Sequence, residues 1–324
     1  MKATVCTRYG GPEFLQIQDL PRPECGPNDV LVKVMATPVS MADTMMRRGV
    51  PRFARLFLGL RRPKHSVIGT GYAGVVAETG ANVSRVQPGD RVCGESGLKF
   101  GACAEYVLVS QDSAFAVLPE NVRYDEAAPL ADGAMTAMNF LTVVSHLKSG
   151  QKILIIGASG GIGTAAVQIA HRIGADVTAV CSGRNRSLVM ELGADRVIDY
   201  TAEDFTRSPQ QFDVVFDTVG VSSFDACKKV LTRDGVYLSP VLTLQTLCAM
   251  LRTSLAGRKK AKFSATGLLP PAELRGLLAE VLHLVQSKAI KTVLDRHYPL
   301  AQIVDAHRYV DTGHKRGNVI AMLE

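Results

Sequence analysis

The chain has no Cys-x-x-Cys pair, no apolar run long enough to cross a bilayer, no internal repeat and no low-complexity tract. Its seven cysteines, Cys6, Cys25, Cys93, Cys103, Cys181, Cys227 and Cys248, are odd in number and scattered. That pattern argues against a disulfide framework or a zinc ribbon and fits a reducing compartment, so a cytoplasmic protein is expected. Met1 to Ile17 lacks the charged-then-apolar layout of a signal peptide and reads as the mature start of a domain. The absence of a long apolar run excludes a spanning helix, and no membrane partner is expected. Net charge is +7, yet the basic residues are thinly spread, with local clusters at Arg47-Arg48, Arg61-Arg62 and Arg258-Lys259-Lys260 and no interleaved aromatics. A solvated basic surface is expected, and no nucleic-acid partner.

What is present is an ordinary globular composition, 47% hydrophobic and 21% charged over 324 residues, enough for two domains with separate cores. Residues 1 to 118 read as mostly β structure. Apolar or alternating runs at Lys2 to Cys6, Val30 to Ala36, Ala73 to Thr79, Arg91 to Gly94 and Ala104 to Val109 are punctuated by Gly and Pro turns, the pattern of a small twisted barrel. From Asp125 an alanine-rich segment reads as helical and leads into the most informative stretch, Lys152 to Tyr200.

That stretch opens with Ile153, Leu154, Ile155 and Ile156, a short apolar run suited to a parallel strand buried on both faces. Gly157-Ala158-Ser159-Gly160-Gly161-Ile162-Gly163 follows. So much glycine lets backbone approach a ligand that a Cβ would push away. Apolar residues then recur at Ile162, Ala165, Ala166, Ile169, Ala170 and Ile173, one helical face, with Gly174 where a C-terminal cap belongs. The helix therefore starts on the glycine loop, with its free N–H groups and dipole aimed at a pyrophosphate. Val177 to Val180 is the next strand. An NAD site needs an acidic residue near its end. The chain has Cys181-Ser182-Gly183-Arg184-Asn185-Arg186, where a hydroxyl and a guanidinium suit a 2′-phosphate, so NADPH is expected.

Further strands at Val197 to Tyr200, Phe212 to Thr218 and Gly235 to Ser239 make this half an α/β, doubly wound parallel sheet whose ligands sit at the carboxyl ends of its strands. Thr243 to Lys262 is apolar and then basic, and reads either as a helix with a basic end or as a mobile cover over the cofactor. Pro270-Pro271 starts a helix with Leu274, Leu277, Leu278, Val281, Leu282 and Val285 on one face, and shorter elements close the chain.

Taken together, Met1-Lys2-Ala3, Pro27 to Val34, Ala73 to Val76 with Gly89-Asp90-Arg91-Val92, Gly101 to Val107, the glycine loop, Leu192 to Tyr200, Phe216 to Gly220 and Gly317 to Ile320 carry a resemblance over essentially the whole chain. It resembles the medium-chain dehydrogenase/reductase superfamily, in its zinc-free quinone oxidoreductase (zeta-crystallin-like) branch. The resemblance implies a Rossmann cofactor domain at 119–266 and a GroES-like β-barrel catalytic domain split into 1–118 and 267–324. It implies a homodimer that transfers a hydride from NADPH to quinones, enones or related carbonyl compounds. By the same resemblance Ser159, Gly160, Gly161 and Ile162 would hold the pyrophosphate; Ser182, Arg184 and Tyr200 the 2′-phosphate end; Thr136, Val219 and Gly220 the ribose and nicotinamide; and Asn318 would close over the cofactor.

Metal-dependent relatives would carry zinc ligands where this chain has Ser40-Met41 and Gly69-Thr70-Gly71, and those residues supply no competent ligand set. No metal is expected. Without one, catalysis rests on holding the substrate against the nicotinamide and on donors where charge develops. The branch carries a tyrosine where this chain has Met45. Asp43 and Tyr72 are the candidate polar groups, each with a plainer reading: a helix cap for Asp43, a packing phenol for Tyr72. Asp132 could face the cleft or cap a helix. Met41, Met45, Met46 and Met135 would make an adaptable apolar pocket or ordinary core, and Cys93 and Cys103 read as packing residues. One alternative is an enoyl-thioester or polyketide-tailoring reductase with a basic rim at Arg47, Arg48, Arg61 and Arg62. The other is a non-catalytic, NADPH-binding regulatory or RNA-binding protein.

Overall fold

The computed structural model describes residues 1–52 and 55–323. The chain forms two compact units, Met1–Met135 with Gly267–Glu324, and Thr136–Thr266. The strands in chain order are β1 (Lys2–Cys6), β2 (Leu15–Asp19), β3 (Asp29–Val39), β4 (Gly71–Thr79), β5 (Arg91–Glu95), β6 (Tyr106–Ser110) and β7 (Phe115–Val117) in the first unit. The second unit holds β8 (Lys152–Ile156), β9 (Asp176–Cys181), β10 (Arg196–Asp199), β11 (Phe212–Asp217), β12 (Leu231–Ser239) and β13 (Lys260–Phe263). The chain then returns to the first unit with β14 (Leu294–Pro299) and β15 (Asn318–Met322).

In the first unit, β14-β15-β3-β4-β5-β7 is one sheet with β6 also paired to β3, and β1-β2 is a separate hairpin. β3 is flanked on both sides and is buried along almost its whole length, whereas the hairpin strand β2 exposes most of its residues. Its core brings Val30, Val32 and Val34 against Val76, Val92 and Phe115. The helix Pro271–Gln286 buries Leu274, Leu277, Leu278, Val281 and Leu282, the face its periodicity marks.

The sequence places the first domain break at 118, yet 119–135 packs with the first unit. Ala127, Ala128, Leu130 and Ala131 are buried, and a Cβ on Gly71 of β4 would lie 3.0 Å from the Ala128 carbonyl oxygen. Small residues on both sides allow that approach, which makes the segment a cover for β4.

The second unit is a six-stranded parallel sheet in the order β10-β9-β8-β11-β12-β13. The chain runs outward from β8 to β10, then crosses back to β11 and runs the other way. The switch point therefore lies between β8 and β11, where such sheets open a crevice at their carboxyl ends. β13 and the helix Leu244–Leu255 occupy the stretch that the sequence left between two readings.

Candidate functional site: a dinucleotide crevice and a set of buried carboxyls

In the second unit, β8 delivers the chain into Gly157, whose φ of +75° suits glycine. A Cβ there would meet Thr218 Oγ1 at 2.8 Å and Val219 Cγ1 at 2.9 Å, so the loops after β8 and β11 touch at the switch point. Gly163 serves a second close approach: its Cβ would lie 2.1 Å from the Gly157 carbonyl oxygen. The helix Gly161–Ile173 therefore starts tight against the strand end. Its N-cap is Gly160, and no side chain caps it. The N–H groups of its first turn face the space above Ser159, Gly160, Gly161 and Ile162, the residues expected to hold a pyrophosphate.

Asn185, which sequence reasoning passed over, joins this loop to the end of β9. Its buried side-chain amide donates to Ser159 Oγ at 2.9 Å and to Ser182 Oγ at 3.3 Å. Its own Oδ1 has no partner among the described residues. Arg184 lies exposed in the same turn, and Tyr200, half exposed, follows β10 with its N–H donating to the Cys181 carbonyl. The carboxylate here is Asp199. Hydrogen bonds from the Thr201 hydroxyl and N–H and from the Gly183 N–H hold it below the usual carboxylate range. It braces the turn at Gly183.

Asp217 was also missed, although it lies within the Phe216 to Gly220 stretch. Fully buried at the end of β11, it accepts from the N–H groups of Gly220 at 2.8 Å and Ser222 at 2.7 Å, from those of Val219 and Val221 at 3.3 and 3.4 Å, and from the Tyr237 hydroxyl at 3.0 Å. This carboxylate fixes the loop that carries Val219 and Gly220. Thr136, nearly buried, lies in the helical run that opens the second unit. The open helix N-terminus, the glycines without room for a Cβ and the polar turn after β9 fit a dinucleotide, and the residues named would hold it.

In the first unit, Asp43 is buried in the first turn of the helix Met41–Arg48 and forms a capping box with Ser40. The Ser40 N–H and hydroxyl both donate to Asp43 Oδ2 at 2.8 Å, and the Asp43 N–H donates back to Ser40 Oγ at 3.2 Å. Asp43 Oδ1 has no partner among the described residues. Burial, reinforced by the charge of Asp132, pushes the Asp43 carboxyl up to about 7. Burial likewise raises Asp132, and it raises Glu95 to about 8 with Asp132 and Asp43 adding to the effect. Lys315, its ammonium donating to the Gly317 carbonyl at 2.7 Å, is pushed down by the same loss of water. Each group therefore leans toward its neutral form.

Tyr72 is fully enclosed among the valines of the barrel core; its hydroxyl has no partner among the described residues, and burial raises its ionisation far above the phenol range. Met45 and Met46 are half buried, Met41 is exposed and Met135 is buried. Burial pushes the thiols of Cys93 and Cys103 up to about 12, so both are packing groups. Asn318 begins β15, and both its N–H and its side-chain amide donate to the Val293 carbonyl. The basic rim expected at Arg47 and Arg48 is corrected by the packing. Arg47 is fully buried, donating to Asp311 at 2.6 Å and to the Gly10 carbonyl at 2.5 Å, and Arg48 shares Asp311.

Two family descriptions match the chain: "Alcohol dehydrogenase GroES-like domain" over residues 26–120 and "Zinc-binding dehydrogenase" over residues 192–320. Despite the second description, no group of three His, Cys, Asp or Glu side chains among the described residues is placed to hold a metal ion. The residues present do not fit a zinc centre. The chain is 33% identical to the mouse protein "NAD(P)H oxidoreductase RTN4IP1, mitochondrial", over 99% of this chain and 88% of that one. It is 30% identical to the Arabidopsis thaliana "NADPH-dependent alkenal/one oxidoreductase, chloroplastic", over 99% of this chain and 79% of that one. Among solved structures, the quinone oxidoreductase from Coxiella burnetii superposes with a TM-score of 0.87 at 29% identity, covering 100% of this chain and 99% of that one. No helix among the described residues is long and apolar enough to cross a membrane.

Proposed function

Because this chain belongs to the medium-chain dehydrogenase/reductase superfamily, in its quinone oxidoreductase-like branch, and is an NAD(P)H oxidoreductase of that type, we propose that it reduces quinones or α,β-unsaturated carbonyl compounds with NADPH and without a metal. The observation that carries the cofactor choice is the turn after β9. There a serine hydroxyl and an arginine flank Asn185, and the adjacent carboxylate, Asp199, already accepts from Thr201 and Gly183. Ser159, Gly160, Gly161 and Ile162 are proposed for the pyrophosphate; Ser182, Arg184 and Tyr200 for the 2′-phosphate; Thr136, Val219, Gly220 and Asn318 for the ribose and nicotinamide.

Bound NADPH supplies the hydride, delivered to the β-carbon of an activated alkene or to a quinone. The developing enolate then needs a proton. With methionine at position 45, Asp43 is proposed to hold that proton, since a carboxyl pushed up to about 7 stays protonated over part of the neutral range. Tyr72, packed among valines, is assigned to the barrel core. The enoyl-thioester reading loses its rim, since Arg47 and Arg48 are both committed to Asp311.

The test is NADPH oxidation by the chelator-treated protein against a panel of quinones, enones and enals, with NADH alongside. Turnover that favours NADPH and is indifferent to chelator is expected. Tight NADPH binding with no turnover on any panel member would turn the reading to the regulatory alternative.

A further inference from the structure

The helix Leu244–Leu255 is built inside out. Its inward residues include Thr246 and Thr253, both buried. The Thr246 hydroxyl meets Thr243 Oγ1 at 2.9 Å, and Thr253 Oγ1 accepts the Ala261 N–H at 3.1 Å. The leucines point the other way: Leu244, Leu247, Leu251 and Leu255 are 76, 43, 58 and 87% exposed. Their spacing of three and four residues puts them on one stripe, and Cys248 is exposed beside them. Single exposed leucines are common on protein surfaces, but a continuous stripe with hydroxyls turned inward marks a contact surface.

Charge distinguishes the occupant. The stripe ends in Gly257-Arg258-Lys259, and the Lys259 ammonium donates to the Lys228 carbonyl at 2.7 Å, which sets the exposed Lys228-Lys229 turn beside the leucine end. Asp225 and Asp234 answer Arg252 and Arg258 at 2.7 and 2.5 Å, leaving Lys228, Lys229 and Lys259 with no carboxylate partner in a hydrogen bond or ion pair. An aliphatic stripe with a cationic end is the form of a helix that lies in a bilayer interface, leucines in the acyl region and ammonium groups at anionic headgroups. Protein-binding surfaces enrich aromatic side chains, and the outward residues here are leucine, cysteine, glutamine, serine and arginine.

We propose that the Leu244–Leu255 face is a docking surface for an anionic lipid bilayer, on which the protein lies peripherally. The inference is independent of which substrate is reduced. It departs from the expectation that no membrane is engaged: the sequence shows the period of the leucines but not which way they face.

The chain contains no tryptophan, so Leu251→Trp places a lone reporter on the stripe. With vesicles of phosphatidylcholine and phosphatidylglycerol, its emission should shift to the blue and be quenched by brominated acyl chains. Unsubstituted protein should co-sediment with the same vesicles. The double variant Lys228→Glu/Lys229→Glu, with an unchanged far-ultraviolet spectrum, should bind them about tenfold more weakly. Emission that ignores every lipid would overturn the proposal, as would equal binding to phosphatidylcholine alone. A blue shift that grows with protein concentration in the absence of lipid would also overturn it, by showing that a second copy covers the stripe.

Discussion

The two units treat buried acid groups in opposite ways. In the second unit, Asp217 is buried and accepts from four N–H groups and a phenol, so its charge is spread over fixed donors. In the first unit, Asp43 is also buried, but one of its oxygens has no partner and Asp132 stands near enough to oppose its ionisation. The first arrangement holds a shape; the second holds a proton. A fully solvated-by-protein carboxylate stays ionised and organises backbone, whereas an under-solvated one becomes a titrating group near neutrality.

Removing the acceptor in the second unit should have the largest effect. Asp217→Ala leaves several buried donors unpaired and is expected to cost about 3–5 kcal/mol in urea unfolding, with loss of NADPH binding as the Val219-Gly220 loop loosens. A cost under about 1 kcal/mol would mean that water replaces the carboxylate and the contrast between the units is false.

Asp43→Asn should sharpen the contrast through pH. Because the folded carboxyl is raised from its usual 3.8 to about 7, the folded protein binds the extra proton between those values. Stability from this group is therefore full at acid pH and is lost as pH rises toward 7, by up to about 4 kcal/mol. Asparagine keeps an oxygen for the Ser40 N–H, so the variant should flatten that slope and unfold at a higher temperature than the parent above pH 7. Melting curves from pH 5 to 8, roughly the window of the shift, check it; parallel slopes for both proteins would show that Asp43 is ionised throughout. If Asp43 also donates the catalytic proton, turnover in the variant should fall and lose its decline on the alkaline side.

The smallest effect tests cofactor choice. Arg184→Glu should weaken NADPH binding by about 2 kcal/mol more than NADH binding, since a carboxylate would face the 2′-phosphate. Equal losses in fluorescence titrations would place Arg184 in a part of the site common to both nucleotides.

The second unit was the more legible in sequence because its devices are local. Ile153 to Ile156, the glycines and the helical face up to Ile173 lie within one strand-turn-helix, and each part can be read from its neighbours. The first unit depends on distant partners. Arg47 looked like surface charge beside Arg48, and its acceptor, Asp311, lies 264 residues away. Asp43 was visible as a capping residue, but its titration depends on Asp132 and on burial that composition does not encode. Asp217 lay within a quoted stretch, yet only the curl of the next four residues around it shows its task. The leucines of 244–255 had a readable period and an unreadable direction, because the inward positions are decided by hydroxyls meeting Thr243 and Ala261.

The pairing of β15 with β3 sets an order for the chain's birth. Val319 pairs with Val39, so the two strands that meet are separated by about 280 residues of synthesis. At roughly 5–20 residues per second, Ala36 to Val39 leave the ribosome tens of seconds before their partner exists. The dinucleotide half is one uninterrupted stretch and reaches completion first. The barrel half waits with part of β3 as an open edge, the kind of edge that recruits foreign strands. Nascent chains stalled before residue 318 should therefore carry a closed Rossmann half and be the species that holdase chaperones retain.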